Sequence, residues 1–486
     1  MNILRYLCHI TNMNFRPLLQ QKSVNTLYIV LTLFPLLCII YHLKDTFLDD
    51  SYITLTYSKH LFYEGQPLYN TADTIHGNGQ TSVLWMLIES LFFYLKSVNP
   101  IYLNKLLSLL FSLIIFTSLF VSFKKQKFLP TKFFILLFSV FYSYWSALNV
   151  SHGLETLLFA ATLLLFLQHR SKSITYLLAF LLPFIRPEAI VITFFYIFDT
   201  KLFSKYFFWR LLIVLSSIFT YILYLWFFYD FLIPLPLLLK NTQEFSAVRI
   251  RNFIIMIAIF SPIFFYCLKN YKTKFFFYLP LFFFIVYYSF FIDEVMNFFG
   301  RYQYPLFIYF VYFLQDEKVK ITAHKITDST LYILSSIGIY QYYNFINNHK
   351  NFYENTYSAG LKNGPVYLGT YLKQRSIQEN QKLKIINSDA GAIAYFSECY
   401  LYDTWGLNNA TLLQTKKNRN WTAYIAYLKN ISPHYIILIS KESHTFVPKL
   451  DFEDKIYKHF KLKDKSPELI RKFDNNYYYF LYKVYD

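Results

Sequence analysis

The sequence predicts a polytopic α-helical membrane protein with a small α/β domain at its C-terminal end. Three observations predict this class. The 486-residue chain is 55% apolar and holds 55 Phe and 46 Tyr against only 11 Gly. Apolar runs of about 17–25 residues, long enough to cross a bilayer, recur along its first 345 residues. Beyond them, short β-rich runs alternate with helical patterns. A soluble chain of this length would scatter its apolar residues at helical or strand periods instead.

The first run, Val24–His42, is too long for a signal-peptide core, and no small-residue cleavage site follows it, so a retained helix is expected. Lys and Arg favour the cytoplasmic side of short loops. Arg5, Arg16 and Lys22, with no acid among residues 1–23, put the N-terminus inside. Lys124, Lys125, Lys127 and Lys132 return the chain to that side, with one full-length span, about Asn104–Phe123, before them. The intervening SVLWMLIESLFFYL would be about 21 Å long as a helix, too short to cross. Residues 43–103 are therefore read as an external loop, with that segment in the interface.

Phe133–Val150 then runs outward and Leu154–Gln168 returns. Ile174–Ile185 and Ala189–Phe198 are each too short to span, and Arg186-Pro187-Glu188 separates them, which predicts a hairpin of half-helices. Further spans are expected near 209–229, 252–268, 275–292, 303–314 and 328–344. The inner loops then carry 18 Lys and Arg against 3 acids, and the outer ones 7 against 10. The net charge of +18 thus follows the loops, which argues against a nucleic-acid partner. Residues 1–345 form the transmembrane domain and 346–486 an extracytoplasmic one. In the latter, KLKIINS, HYIILIS and YYYFLYKVY read as strands, NWTAYIAYLKN as a helix, and NSDAG and ISPH as turns. Cys8, Cys38, Cys267 and Cys399 are too scattered for a metal motif or a disulfide framework.

Ionisable residues beside spans need a reason, because lipid penalises them unless they meet water or a partner. Asp49 and Asp50 follow the first span directly. They read as a cap for a helix from about Ser51 to Tyr63, or as a base or metal ligand at the membrane surface. Adjacent helical residues point about 100° apart, so one can cap while the other faces a cavity. In SHGLET, His152 and Glu155 can share a helical face, as a polar turn or as a wall of the same aqueous site. Arg186 and Glu188 form either a simple ion pair or part of a site. Lys240, Arg249, Arg251 and Arg301 lie outside against the charge rule and together suggest an anion held at the outer interface.

The segment LDDSYITLTYSKHLFYEGQPLYN…HGNGQTSVLW resembles the first external loop of C-superfamily (GT-C fold) glycosyltransferases, in particular the arabinofuranosyltransferase-like branch. Its last motif, Gly79-Gln80-Thr81-Ser82-Val83-Leu84-Trp85, has Gln and Val where the branch has Tyr and Pro. Gly153-Leu154-Glu155-Thr156, Arg186-Pro187-Glu188, Phe228-Tyr229-Asp230 through Pro236 and Lys240, and Phe299-Gly300-Arg301-Tyr302 follow in the family's order, with Leu237 replacing an Asn. Asp389-Ala390-Gly391-Ala392-Ile393 and Asp403-Thr404-Trp405-Gly406-Leu407-Asn408 match its tail signature.

The resemblance implies a GT-C-like membrane domain that moves a sugar from a polyprenyl-phosphate donor to an envelope glycan or glycolipid, with inversion. It implies Asp50 or Asp49 as catalytic base, and Arg301, Lys240 and Arg249 on the donor phosphate. His152, Glu155, Arg186, Glu188, Trp85 and His76 would line the cavity. The acid pair can also hold a divalent cation, although two ligands do not define a site. Trp405 is either a core residue or a platform for a sugar. The AT-rich bias toward Lys, Asn, Ile, Phe and Tyr suits a bacterial inner-membrane protein that decorates envelope glycan or lipopolysaccharide. A flippase, or an O-antigen-type polymerase or ligase, also handles lipid-linked glycans. No internal repeat supports the flippase, and a polymerase or ligase is not expected to carry its key acids directly after the first span.

Overall fold

In the computed structural model the described residues are 21–125, 129–169, 172–200, 202–239, 247–269, 271–292, 297–314 and 326–484. Helix α1 (Gln21–His42) leads through a short turn into α2 (Asp49–Glu64), and α3 (Val83–Ser90) packs on α2. Long apolar helices follow: α4 (Pro100–Lys125), α5 (Leu129–His152) and α6 (Thr156–Gln168). Among the described residues, Pro100–Val121 and Lys205–Phe228 are each long and apolar enough to cross a membrane, and shorter apolar helices accompany them. Lys205–Phe228 exposes Trp209, Phe219, Trp226 and Phe227 along its outer side. An unbroken apolar face of this kind suits contact with lipid.

The half-helices α7 (Ile174–Ile185) and α8 (Ile190–Ile197) meet at Arg186, where the extended backbone precedes Pro187. Both lie against α9 (Lys205–Phe228). The Phe180 carbonyl accepts from Ser217 and Phe184 packs on Tyr221, whereas the Tyr196 carbonyl accepts from Arg210. The second half therefore folds back toward the start of α9, as the hairpin reading expects. A short helix α10 (Leu235–Leu239), then α11 (Ala247–Lys269), α12 (Tyr271–Phe290), α13 (Tyr304–Leu314) and α14 (Ile326–Phe352) complete this part.

Helix α14 does not stop at the C-terminal unit. It runs on through two π-helical turns, Tyr353–Tyr357 and Lys362–Val366, with α15 (Ser358–Leu361) between them, into α16 (Tyr367–Gln378). The unit then alternates β1 (Lys384–Asn387), α17 (Ala392–Ser397), β2 (Tyr400–Asp403), α18 (Ala410–Lys417), α19 (Trp421–Asn430), β3 (Tyr435–Ser440), α20 (Asp451–His459), β4 (Leu469–Asp474) and β5 (Tyr477–Lys483). The sheet order is β2-β1-β3-β5-β4, with β1 parallel to both neighbours and β5 antiparallel to β3 and β4. Strand β3, YIILIS, is buried on both faces, which explains its unbroken apolar run.

Ile436 and Leu438 pack with α19 and α20, while Ile437 joins a core shared with Ile53, Tyr57 and Met86 of the N-terminal part. The sheet unit is thus seated on α2 and α3 by a common apolar core. Ile437→Ala should lower the unfolding free energy of the solubilised protein by about 2–5 kcal/mol, measured by denaturant titration. A loss below about 1 kcal/mol would show that this core is not closed.

Candidate active site

Helix α2 starts at Asp49 itself, and Leu48, the residue before it, has no capping side chain. The two acids thus occupy the first two helical positions instead of capping their own helix. Asp49 turns to the C-terminal unit, where its Oδ1 accepts the backbone N–H of Ala392 at 2.8 Å. It closes the start of α17, where N–H groups have no helical partner. Gly391 permits this approach, because a Cβ there would collide with the Asp49 carbonyl and carboxylate. The Asp49 N–H donates to the Tyr357 hydroxyl at 2.9 Å.

Asp389, half-buried like Asp49, accepts the hydroxyls of Tyr477 at 3.0 Å and of Tyr479. Burial and the nearby Asp389 carboxylate push Asp49 up to about 8, against the pull of the Ala392 and Gly391 N–H groups. Burial raises Asp389 as well, against its two tyrosine donors.

Asp50, one helical step on, lines a cavity of about 760 Å³, open mouth included. The same cavity is lined by Glu155, Arg186, Glu188 and Arg301. An Arg301 guanidinium nitrogen lies 3.5 Å from Asp50 Oδ2 and donates to the Tyr302 hydroxyl at 3.0 Å. Arg186 Nε lies 2.9 Å from Glu188 and 3.7 Å from Glu155, and its guanidinium sits 4.5 Å from the Tyr302 ring centre. The Tyr288 hydroxyl donates to Glu188 at 3.0 Å. Arg186 is therefore held between two carboxylates, while Arg301 meets one, at longer range. A guanidinium held this way can take an incoming phosphate with two parallel hydrogen bonds.

The turn that aims Arg301 is strained. Phe299 and Gly300 both adopt positive φ, 48° and 64°, a conformation that costs a non-glycine residue about 1–2 kcal/mol. Trp145 Nε1 donates to the Phe299 carbonyl at 2.5 Å, and the His152 ring stacks on Phe299 at 4.4 Å. A Cβ on Gly300 would strike the Tyr342 hydroxyl and Trp145.

Of the residues singled out by sequence, Asp50, Glu155, Arg186, Glu188 and Arg301 converge, and several others do not. His152 is fully buried behind the site, supporting Phe299, and its carbonyl accepts from Ser51 Oγ at 2.6 Å. Trp85 is a core residue at 1% exposure, tied to the Gly153 carbonyl at 3.2 Å, because its ring fills the space between α3 and the α5–α6 turn. The His76 N–H donates to the Asp230 carboxylate at 2.7 Å and the Asp230 N–H to the His76 carbonyl at 3.0 Å, which pins two loops together away from the cavity lining. Arg249 is buried against the Phe290 carbonyl at 2.6 Å. Lys240 lies outside the described residues. Trp405 is 38% exposed, edge-on to Phe452, and so is not a core tryptophan.

Sequence reasoning missed Tyr302, Tyr287, Tyr288 and Leu407. Tyr302 had a signal, its place beside Arg301. Leu407 stands inside the tail motif Asp403–Asn408 but drew no role of its own, and Tyr287 and Tyr288 are common residue types with no local mark. Leu407 comes from the C-terminal unit. Its loop is organised by Asp403, which accepts the N–H groups of Trp405 and Asn408 at 2.9 Å each and is pushed by burial up to about 6. Asn408 in turn accepts the Tyr57 hydroxyl at 3.1 Å. Among the described residues no three His, Cys, Asp or Glu side chains form a group that could hold a metal ion. Asp49 is engaged by Ala392, so the acid pair does not converge on one cation.

Comparison with known proteins bears on the fold. Residues 350–484 match a family model described as a domain of unknown function (DUF8728). No curated protein matches the chain. Among solved structures the chain is similar to ArnT from Cupriavidus metallidurans, in a crystal structure bound to undecaprenyl phosphate. The likeness covers 94% of this chain and 97% of that one, with a TM-score of 0.51 at 9% sequence identity. At that identity the likeness is one of fold, and it extends over nearly the whole of both chains.

The buried acids give the fold a pH signature. Asp49 keeps its proton in the folded state up to about pH 8, whereas the unfolded chain loses it near 3.8. Stability therefore falls as pH rises through that window and levels off above it. Asp49→Asn should make the plot of unfolding free energy against pH shallower between those limits. An unchanged slope would show that Asp49 ionises freely in the fold.

Proposed function

We propose that this chain is a C-superfamily glycosyltransferase, of the arabinofuranosyltransferase-like branch. It moves a sugar from a polyprenyl-phosphate donor to a hydroxyl of an envelope glycan or glycolipid at the outer face of a bacterial inner membrane. Residues 1–345 are the transferase unit, with the N-terminus cytoplasmic, and residues 346–486 cover it from outside. The observation that carries this reading is that Asp50 and Arg301 meet at 3.5 Å on one cavity wall. The undecaprenyl phosphate in the ArnT structure supports the donor's lipid class, and the concentration of Lys and Arg in the inner loops, 18 against 7 in the outer ones, supports the orientation.

The donor phosphate takes Arg301, with Lys240 as a second cation, and so releases Asp50 from its ion pair. Asp50 accepts the proton of the acceptor hydroxyl as that oxygen bonds to the anomeric carbon. The bond from that carbon to the phosphate oxygen breaks, and the polyprenyl phosphate leaves with its new charge against Arg301. Attack opposite the leaving group inverts the centre. Arg186, already neutralised by Glu155 and Glu188, shapes the pocket through Tyr302. Asp49 contributes by holding the first turn of α2 through its bond to Ala392.

In proteoliposomes with a polyprenyl-phosphate sugar, Asp50→Asn should lower transfer by about 10²- to 10⁴-fold, while Asp49→Asn, which keeps an acceptor for Ala392, should lose far less. Full activity in the Asp50 variant would remove it as the base. Donor crossing the bilayer without sugar transfer would favour a flippase. Arg301→Ala should raise the KM for donor more than that for acceptor, and equal effects on both would count against its phosphate role.

A further inference from the structure

A second open space lies on the C-terminal unit, apart from the cavity. The helical rod at Phe352–Asn363 and the β4–β5 hairpin at 470–476 face each other across a cleft of about 1670 Å³, open mouth included. Lys449, Arg471 and Lys472 stand on its walls with the amides of Asn355 and Asn363, and Phe352 is 43% exposed at its edge.

Among the described residues none of the three cations forms a salt bridge, although Lys449 lies within the field of Asp474 and Asp389. Lys449 donates to the Asn476 carbonyl at 3.3 Å and lies over the Tyr477 ring. Lys472 donates to Asn475 Oδ1 at 2.9 Å, and Arg471 stacks over Tyr367. Among the described residues that line the cleft Asp474 is the one acid, against three cations. Cations held by neutral groups, beside further neutral donors and acceptors, suit an anion that also offers hydroxyls.

The backbone points the same way. Asn355 lies in the first π-helical turn and Asn363 in the second. Such turns are rare and concentrate at functional sites. The cleft also adjoins the network under α2. Phe473 packs edge-on to Tyr357, which accepts the Asp49 N–H, and Tyr477, beneath Lys449, donates to Asp389.

We infer that this cleft binds an acidic saccharide, one bearing phosphate or carboxylate groups. The amides meet its hydroxyls, Phe352 meets the apolar face of a sugar ring, and the three cations take the charged substituents. Its role as a holder of acceptor glycan rests on the transferase reading above. The binding itself does not.

The test is calorimetric titration of full-length protein in detergent with trigalacturonate and with a hexose 6-phosphate, against maltotriose and inorganic phosphate. The acidic sugars should bind about tenfold more tightly than maltotriose, and the stronger of the two identifies the charged substituent. Lys449→Gln/Lys472→Gln, which leaves the Arg471 stack in place, should erase that preference. If that variant does not fold, Asn355→Ala/Asn363→Ala replaces it and should weaken acidic and neutral sugars alike. Equal binding of maltotriose would overturn the inference. So would a preference that survives the lysine changes, or binding by neither acidic sugar. Inorganic phosphate binding as tightly as the hexose phosphate would reduce the cleft to a bare anion patch. Asp50→Asn should bind as the unmodified protein does. If it loses transfer while no acidic sugar binds, the cleft inference fails and the transferase reading stands. Acidic-sugar binding without any transfer activity sinks the second and leaves the first.

Discussion

The arrangement hangs on one hydrogen bond, from the Ala392 N–H to the Asp49 carboxylate at 2.8 Å. It joins the first residue of α2 to the first residue of α17, more than 300 positions apart in the chain. Inside a protein such a bond is strong, and each partner is costly to leave alone. The Ala392 N–H would otherwise be an unfilled helix end, and Asp49 a buried carboxylate facing Asp389. Tyr477 and Tyr479 bring strand β5 into the same network, so the sheet is coupled to the helix that carries Asp50.

That coupling divides the labour of two adjacent acids. A step of about 100° along α2 sends Asp49 into the interface and leaves Asp50 on the cavity. The cations divide in a similar way. Arg186 sits between Glu155 and Glu188, whereas Arg301 meets Asp50 at 3.5 Å from a turn held by Trp145 and His152. One guanidinium is enclosed by two carboxylates, and the other meets a single carboxylate at longer range.

The C-terminal unit is thus part of the site. It supplies Leu407 to the cavity wall, and its apolar face shares a core with Ile53 and Tyr57 of α2. Its parallel strand β1 ends at Asn387, two residues before Asp389, and β2 ends at Asp403, where open α/β sheets usually expose a ligand crevice. Here those strand ends face the head of α2 and the loop at Gly79, through Tyr69, Tyr57 and Asp49. The unit's own open cleft lies instead between its helical rod and the outer hairpin.

The sequence by itself determined what depends on local spacing. Apolar length marked the helices, Pro187 marked the break between two half-helices, and alternating short runs marked the small sheet. Charge placed against the loop bias singled out Arg301, and the acid pair stood out at the head of α2. Tertiary structure alone decided which acid faces the cavity, because Asp49 and Asp50 are locally equivalent and their distant partners, Ala392 for one and Arg301 for the other, tell them apart. It also turned His152 and Trp85 from cavity walls into supports, and Arg249 into a clamp on the Phe290 carbonyl. The physical reason is the same throughout. Helix and strand periods are written in neighbouring residues, whereas burial and hydrogen-bond partners depend on atoms that the fold brings from far along the chain.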